Sequence, residues 1–260
     1  MRHTLFSALF FITVAVLLVA ETARPLSPLR HSLRQRWFGN AAIFACCQVL
    51  LIWVVPAYAA AGAQIAADRD WGLFNQIAAP LWLVIPVALL IVDGIEYLTH
   101  RIEHAVPLLW RMHRTHHSDP DIDLTTALRF HPLEVLVRGS IAAAVMILLG
   151  APVAVVAGCA LFASTVSMIS HVNADVMPAR LESLLQAVLV TPRMHRIHHS
   201  MEQQESNSNF GTSLSLWDRM LGTYRAEPEL EFAQMTFGVT DRSPAEGVSI
   251  PRMLADPVLS

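Results

Sequence analysis

Residues 81–117 have the sequence LWLVIPVALLIVDGIEYLTHRIEHAVPLLWRMHRTHH, in which an apolar run gives way to two histidine clusters. The apolar run begins near residue 77 and merges after about residue 91 into a more polar helix. The first cluster is His100-Arg-Ile-Glu-His104 and the second is His113-Arg-Thr-His116-His117. Residues at i, i+3 and i+4 share a face of a helix. The stretch therefore predicts a membrane helix with histidines gathered at one end.

Further apolar runs lie on both sides of this stretch, at residues 5–20, 41–60 and 141–169. About 20 apolar residues cross a bilayer once, so the last run is too long for a single span. Gly150 and Pro152 interrupt it where a helical hairpin would turn. With 54% hydrophobic residues and a mean hydropathy of +0.45, the chain is predicted to be an all-α integral membrane bundle with about four spans, including the hairpin.

Positive charge predicts the orientation of these spans. The connection between the first two runs carries the arginines at positions 24, 30, 34 and 36, and such loops favour the cytoplasm. The same arginines favour the first run as a retained span over a cleaved signal peptide. Counting spans from there places every histidine cluster in a cytoplasmic cap. Compact length and the lack of organelle-retrieval signals favour a bacterial inner membrane.

One domain with three regions is expected, because the sequence has no linker-like or repeated segment. These regions are N-terminal membrane segments (1–75), a catalytic region with the histidine clusters (76–225) and a peripheral tail (226–260). A net charge of −3 gives no sign of a nucleic-acid partner. Cys46, Cys47 and Cys159 lie in apolar stretches without a CxxC pair, which is typical of small buried residues.

A third cluster, His195-Arg-Ile-His198-His199, repeats the HxxHH spacing of the second. Imidazole binds iron, zinc, copper and nickel, and eight clustered imidazoles suit two ions better than one. Helical spacing predicts that His100 and His104 point at one metal, and that each HxxHH trio does the same. No cysteine accompanies the clusters, which argues against a zinc finger.

The motifs together resemble the fatty acid hydroxylase and sterol desaturase superfamily of membrane di-iron enzymes, over residues 81–224. The segments that carry this resemblance are Asp93, Tyr97, His100-Arg101 and His104; Leu109-Trp110-Arg-Met-His113-Arg-Thr-His116-His117-Ser118; Arg129-Phe-His131-Pro132-Leu-Glu134; Pro192-Arg-Met-His195-Arg-Ile-His198-His199-Ser200; Asn207-Ser-Asn209-Phe210-Gly211; and Trp217-Asp218-Arg219-Met-Leu-Gly222-Thr223. Their order and spacing make the match more specific than any single HxxHH.

The resemblance implies a set of metal ligands. They are His100, His104, His113, His116, His117, His195, His198 and His199, with His171 as a ninth. Some fatty acid 2-hydroxylase-like members have a further histidine four residues after this ninth position, where this chain has Asp175. This departure weakens an assignment to that subgroup. The tenth ligand stays open between Asp175, Asn173 through a water, and His131, with Asp93 as a further ligand or outer partner.

The implied activity is oxidation of a lipid substrate from the bilayer by two iron ions and O2. Hydroxylation and desaturation share the first hydrogen abstraction, so the ligands do not distinguish them, and they leave the lipid undefined. Electrons would come from a separate electron-transfer protein, because the sequence carries no dinucleotide fingerprint, haem-attachment motif or iron–sulfur cysteine set. Three alternatives remain: a carotenoid hydroxylase-like enzyme, a zinc-dependent membrane hydrolase that lacks the HExxH base, and a non-catalytic metal-binding membrane protein.

Residues around the clusters have their own predictions. Metal-bound histidines usually donate their second nitrogen to an oxygen, and the candidate carboxylates are Asp93, Glu96, Glu103, Glu134 and Asp218. Asp119, Asp121 and Asp123 are expected in a solvated loop. Trp110 and Trp217 are expected to anchor the chain at the membrane interface. Residues 181–190 suit either an interfacial helix or ordinary packing.

Overall fold

The computed structural model describes residues 2–50, 54, 65–66, 68–77, 79–175 and 177–258, with the backbone alone at residues 2–11 and 179. This part of the chain forms helices and no β-sheet, as predicted. The helices are α1 (Arg2–Ala23), α2 (Leu33–Val49), α3 (Leu73–Gln76), α4 (Leu81–Ala105), α5 (Pro107–His117), a 3-10 helix (Leu124–Leu128), α6 (Pro132–Leu149), α7 (Val153–His171), α8 (Ala179–Leu185), α9 (Pro192–His198), α10 (Gln203–Ser206), α11 (Leu216–Leu221), α12 (Pro244–Gly247) and α13 (Ile250–Ala255).

Three of the described helices, α4, α6 and α7, are long and apolar enough to cross a membrane. They confirm the membrane helix before the first histidine cluster and the hairpin in the long apolar run. Residues 12–23 of α1 form a shorter apolar helix. The predicted span at residues 41–60 lies largely outside the described residues, because α2 ends at Val49.

The hairpin turns at Gly150, which ends α6 in the left-handed region with a φ of 62°. Glycine suits this conformation because it has no Cβ. A Cβ at this position would also lie 2.9 Å from the Trp71 carbonyl oxygen. Beside the turn, Phe74 of α3 packs with Val84 of α4 and Val155 of α7 in a buried apolar cluster. The start of α4 and the turn of the hairpin therefore lie at the same end of the bundle.

The opposite end carries the histidines. There the end of α4 meets the start of α6 and the end of α7. Val106 breaks the helical path with φ −100° and ψ 115°, as expected for a residue before proline, and Pro107 opens α5 at its first position. This break lets α5 fold back against α4. The three clusters gather at this end, as predicted, while the cytoplasmic side assigned to it remains a prediction.

The acidic loop after the second cluster is buried and ion-paired, so the prediction that Asp119, Asp121 and Asp123 form a solvated loop is wrong. Arg36 of α2 lies 2.8 Å from Asp119 and 2.7 Å from Asp123, and all three side chains are buried. Burial acts to raise the pKa of Asp119, but the guanidiniums of Arg36 and Arg129 outweigh it and hold this pKa at about 2. Because the partners of these aspartates are distant in sequence, the local composition did not predict that the loop is buried.

The C-terminal tail also packs on this end of the molecule. Arg129 is fully buried and donates to the Gly247 carbonyl of α12 and, at 2.6 Å, to the Thr115 carbonyl of α5. The Thr115 hydroxyl donates to Asp256 at 3.0 Å. The C-terminal tail therefore contacts the second histidine cluster, and α2 contacts the acidic loop that follows it, while the boundaries of the three regions remain a prediction.

Candidate metal centre

Nine histidines converge in two sets at the end of the bundle where α4, α6 and α7 meet. The five-histidine set contains His100, His104, His113, His117 and His198, and the four-histidine set contains His116, His171, His195 and His199. Within each set, one nitrogen of every ring lies within 4.8 Å of the others. All nine are buried except His104, which is half-buried. The structure thus brings together every histidine of the predicted ligand set.

The two HxxHH motifs do not each serve one set, so the predicted grouping by motif is wrong. In the second cluster, His113 and His117 join one set while His116 joins the other. In the third cluster, His195 and His199 belong to the four-histidine set, whereas His198 belongs to the five-histidine set. The physical reason is helical rotation. Adjacent residues point about 100° apart, so the i, i+4 pair shares a direction and the histidine between them faces elsewhere.

Hydrogen bonds at Nδ1 to backbone carbonyls fix the tautomer of four of these histidines, and a fifth, His113, contacts a carboxyl group at the same atom. Carbonyl oxygens accept from His100 (Phe210, 2.8 Å), His116 (Arg129, 3.1 Å), His171 (Ser167, 2.6 Å) and His198 (Ser208, 2.8 Å), and the Glu134 carboxylate lies 2.8 Å from Nδ1 of His113. A carbonyl can only accept, so the proton of a neutral ring sits on Nδ1. Nε2 then carries the free lone pair, as a metal ligand requires.

These Nε2 atoms face one another at short range. Nε2 of His100 lies 3.0 Å from Nε2 of both His113 and His198. In the other set, Nε2 of His171 lies 3.2 Å from that of His116 and 3.0 Å from that of His195. Two nitrogens that bind one ion at about 2.1 Å and a right angle are roughly 3.0 Å apart. Because lone pairs repel, this arrangement fits a bound cation between the nitrogens of each set.

Burial keeps these rings neutral. It lowers the pKa of His113, His116, His195 and His199 well below the usual value, and neighbouring histidines lower it further. Burial likewise lowers the pKa of His198 to about 4, against the opposing effect of its bond to the Ser208 carbonyl. The imidazoles are therefore unprotonated at neutral pH and available to a metal.

A carboxylate group supports the five-histidine set. Glu134 of α6 contacts His113, and Arg138, one turn further along α6, lies 3.2 Å from Glu134. Arg138 also pairs with Glu96 at 3.0 Å and with Glu103, whose carboxylate is 3.6 Å from His113. The single guanidinium offsets part of the negative charge of these carboxyl groups. A histidine that donates to a carboxylate is a stronger metal ligand.

One loop supplies the carbonyls for two other members of this set. Ser208 and Phe210 accept from His198 and His100, respectively. Asp218, fully buried, holds the loop by accepting from the backbone N–H groups of Phe210 and Gly211, each at 2.8 Å. Asp218 thus does not contact the histidines itself but holds the loop whose carbonyl oxygens orient them.

Asp93 anchors the same region from within α4. Its Oδ2 accepts from the Trp217 indole nitrogen at 2.9 Å and from the Leu214 N–H at 3.3 Å. Nearby, the Tyr97 and Thr223 hydroxyls are 2.8 Å apart. These contacts place the carboxylate against the 207–217 loop rather than against a histidine.

The other candidates for a tenth ligand point elsewhere. His131 accepts from the Leu133 N–H at Nδ1, and its Nε2 lies 3.3 Å from the Leu254 carbonyl. Asn173 bonds the backbone of Ser27 through both side-chain atoms. Asp175 is exposed and pairs with Arg193 at 3.0 Å. None of the three belongs to a histidine set among the residues described.

Several supporting residues escaped the sequence analysis. Arg138 was signalled only by its i, i+4 spacing from Glu134. The carbonyls of Ser208 and Phe210 have no sequence signature, because backbone atoms are common to every residue. Trp110, predicted to anchor at the interface, is half-buried with its ring 5.0 Å from that of His104 and 5.4 Å from that of His117.

Apolar spanning helices that end in two converging histidine sets define a class of membrane protein built to bind metal through clustered imidazoles. Within that class, the chain belongs to the fatty acid hydroxylase family, whose sequence model matches residues 85–223, more than half of the chain. The resemblance drawn from the motifs is thereby confirmed.

Characterised relatives act on lipids. Ornithine lipid hydroxylase OlsE of Rhizobium tropici is 32% identical over 149 residues, which are 57% of this chain and 44% of that protein. Alkylglycerol monooxygenase of Homo sapiens is 30% identical over 155 residues, 59% of this chain and 32% of the relative. The Xenopus tropicalis monooxygenase is 29% identical over 195 residues, 72% of this chain and 40% of the relative. The chain thus spans less than half the length of these relatives, and no solved structure matches it significantly.

Proposed function

We propose that this chain is an O2-dependent hydroxylase of a membrane lipid, with two iron ions held by the nine histidines. The observation that carries the proposal is the pair of histidine sets whose Nε2 lone pairs converge at 3.0–3.2 Å. The donors are all nitrogen and neutral, which suits a divalent transition metal.

The proposed metal ions would supply the oxidising chemistry that protein side chains lack. Unactivated C–H bonds do not yield to protein acids or bases, whereas a reduced iron pair can activate dioxygen. The chain contributes ligation and orientation. Glu134 and the carbonyls of Ser208 and Phe210 fix three imidazoles, and burial keeps water from competing at the centre.

The lipid substrate follows from the relatives and from the setting. An ornithine lipid hydroxylase and alkylglycerol monooxygenases both act on membrane amphiphiles, as their names state. In this chain the histidine sets lie at the ends of the spanning helices, close to the acyl and alkyl chains of a surrounding bilayer. Hydroxylation is favoured over desaturation because these relatives insert oxygen.

Two electrons and two protons must accompany each turnover. One oxygen atom enters the C–H bond to give the alcohol, and the other leaves as water. We assign the electrons to a separate electron-transfer protein. By the distribution of arginines in residues 24–36, the metal centre faces the cytoplasm, and a bacterial inner membrane is the proposed location.

Metal analysis together with product analysis tests this proposal. Protein expressed with supplemented iron and purified in mild detergent should contain about two irons per chain. Membranes that contain the protein, supplied with reductant and isotopically labelled dioxygen, should form a lipid that carries one labelled oxygen atom. Replacing His116 or His198 with alanine, one from each set, should abolish the product.

Asp175→Asn is the matched control, because Asp175 is exposed and pairs only with Arg193 among the residues described. It should retain metal and product. Activity that persists without oxygen would instead support a hydrolase, and bound zinc that iron cannot replace would count against the iron assignment. A fully loaded protein that leaves every membrane lipid unchanged would favour a binding role.

A further inference from the structure

Helices α8 and α11 form one surface unit although about thirty residues separate them. The Ser215 N–H donates to the Val188 carbonyl at 3.0 Å. The Ser215 hydroxyl and the Arg219 guanidinium both donate to the Gln186 carbonyl, at 2.6 and 2.8 Å. The two short helices and the turn after α8 are thereby fixed side by side.

Apolar side chains project outward from this unit. The exposed members, called the α8–α11 patch, are Leu181, Leu184, Val188, Leu216, Met220 and Leu221. Leu184 is 72% exposed and Met220 is 65% exposed. Contiguous exposed apolar residues of this kind mark a surface that is covered in the working protein.

Charge is segregated in the same unit. Both acids of its two segments are buried, Glu182 at 4% and Asp218 at 0% exposure. Glu182 turns inward to pair with Arg193 at 3.0 Å. The two exposed charged side chains are Arg180 and Arg219, both basic. An apolar face whose only exposed charges are positive fits an anionic lipid surface better than a neutral or basic protein.

The unit lies against the membrane-spanning helices. Trp217 of α11 donates to Asp93 of α4, and a Cβ on Gly94 would come within 2.9 Å of the Trp217 ring. Asp93 precedes His100 by seven residues, or roughly 10 Å along the helix. On the other side, Val190 packs with Val166 of α7. The patch therefore lies nearer to the middle of the spanning helices than the histidine sets do.

We propose that the α8–α11 patch lies in the bilayer, with its apolar side chains among the acyl chains and Arg180 and Arg219 at the anionic head groups. The argument rests on the contacts of the unit with the spanning helices α4 and α7 and on the charge segregation. It does not depend on the hydroxylation chemistry. At the end of the protein that carries the histidine sets, the patch would then contact lipid in addition to the spanning helices.

Site-directed spin labelling tests the depth of the patch. The background is a variant with Cys46→Ser, Cys47→Ser and Cys159→Ser. Single cysteines replace Leu184 or Met220 in the patch, Leu90 within the α4 span, and Glu231 on an exposed loop. Each labelled protein is placed in lipid nanodiscs with anionic and zwitterionic lipids. Collision with oxygen, which concentrates in the bilayer, is compared with collision with a water-soluble nickel chelate.

Labels at Leu184 and Met220 should resemble the Leu90 label, with oxygen access well above nickel access. Values like those of the Glu231 label would overturn the proposal, as would dipolar broadening that shows a second copy on the patch. In discs without anionic lipid the Leu184 label should lie closer to water. An unchanged depth there would remove the role given to the arginines.

Discussion

Glu134 Oε1 lies 2.8 Å from Nδ1 of His113, and both side chains are almost completely buried. Among the residues described, this is the only carboxylate in hydrogen-bonding contact with a histidine of the five-histidine set. The contact gives that set a carboxyl partner, whereas the fixed tautomers of the four-histidine set rest on carbonyls. The two histidine sets are therefore chemically different.

Replacing Glu134 with glutamine removes the charge but keeps the shape. The amide oxygen can still accept from His113, so the fold should persist while the imidazole becomes a weaker donor. Metal affinity of the five-histidine set should fall by about 10–100-fold, as measured by chelator competition. Glu96→Gln is the control, because Glu96 contacts Arg138 without touching a histidine. Equal effects of the two substitutions would show that Arg138 pairing, not the histidine contact, matters.

The division of the HxxHH motifs between the two sets predicts which pairs of histidines contribute to the same metal site. His117→Ala and His198→Ala should affect the same ion although they come from different motifs, so the double variant should retain about one ion per chain. His117→Ala with His199→Ala should lose both. Metal stoichiometry of the singles and doubles measures this non-additivity. If His116 instead behaves as a partner of His117, the grouping by motif would be restored.

Local features predicted the spanning helices α4, α6 and α7 and the eight clustered histidines, because hydropathy and i, i+4 spacing are encoded in neighbouring residues. His171 followed only from the resemblance to the family. The division of the motifs depends on how two helices face each other. His116 and His117 are adjacent in sequence, yet they serve different sets. Helical rotation makes the two neighbours point in different directions, and the relative placement of α5 and α9 decides which set each one joins.

The supporting contacts were harder to predict for a related reason. Arg36 and Asp119 are 83 residues apart, and the atom that orients His100 is a backbone carbonyl 110 residues away. A charged run such as 119–123 is usually solvated. Here it is buried because cations from α2 and from the segment before α6 reach it, which no local pattern records.

Asp218 should act as a positioning residue for the five-histidine set. Asp218→Ala leaves the buried N–H groups of Phe210 and Gly211 without their acceptor, at a cost of about 1–3 kcal/mol for each donor. The melting temperature in detergent should fall. Iron should be lost first from the five-histidine set, which spectroscopy of the remaining ion would reveal. Glu231→Ala, an exposed acid, should change neither; loss of both ions together would instead indicate general unfolding.

The buried pair of Arg36 and Asp119 should contribute more to stability than its exposed counterpart. Asp119→Asn leaves the guanidinium of Arg36 with less compensating charge in a buried site, a change that typically costs about 3–5 kcal/mol. Asp175→Asn breaks the exposed pair with Arg193 and should cost about 0–1 kcal/mol. Chemical unfolding in detergent compares the two directly. Since Asp123 also pairs with Arg36, a cost for Asp119→Asn as small as that for Asp175→Asn would mean that Asp123 alone compensates the arginine.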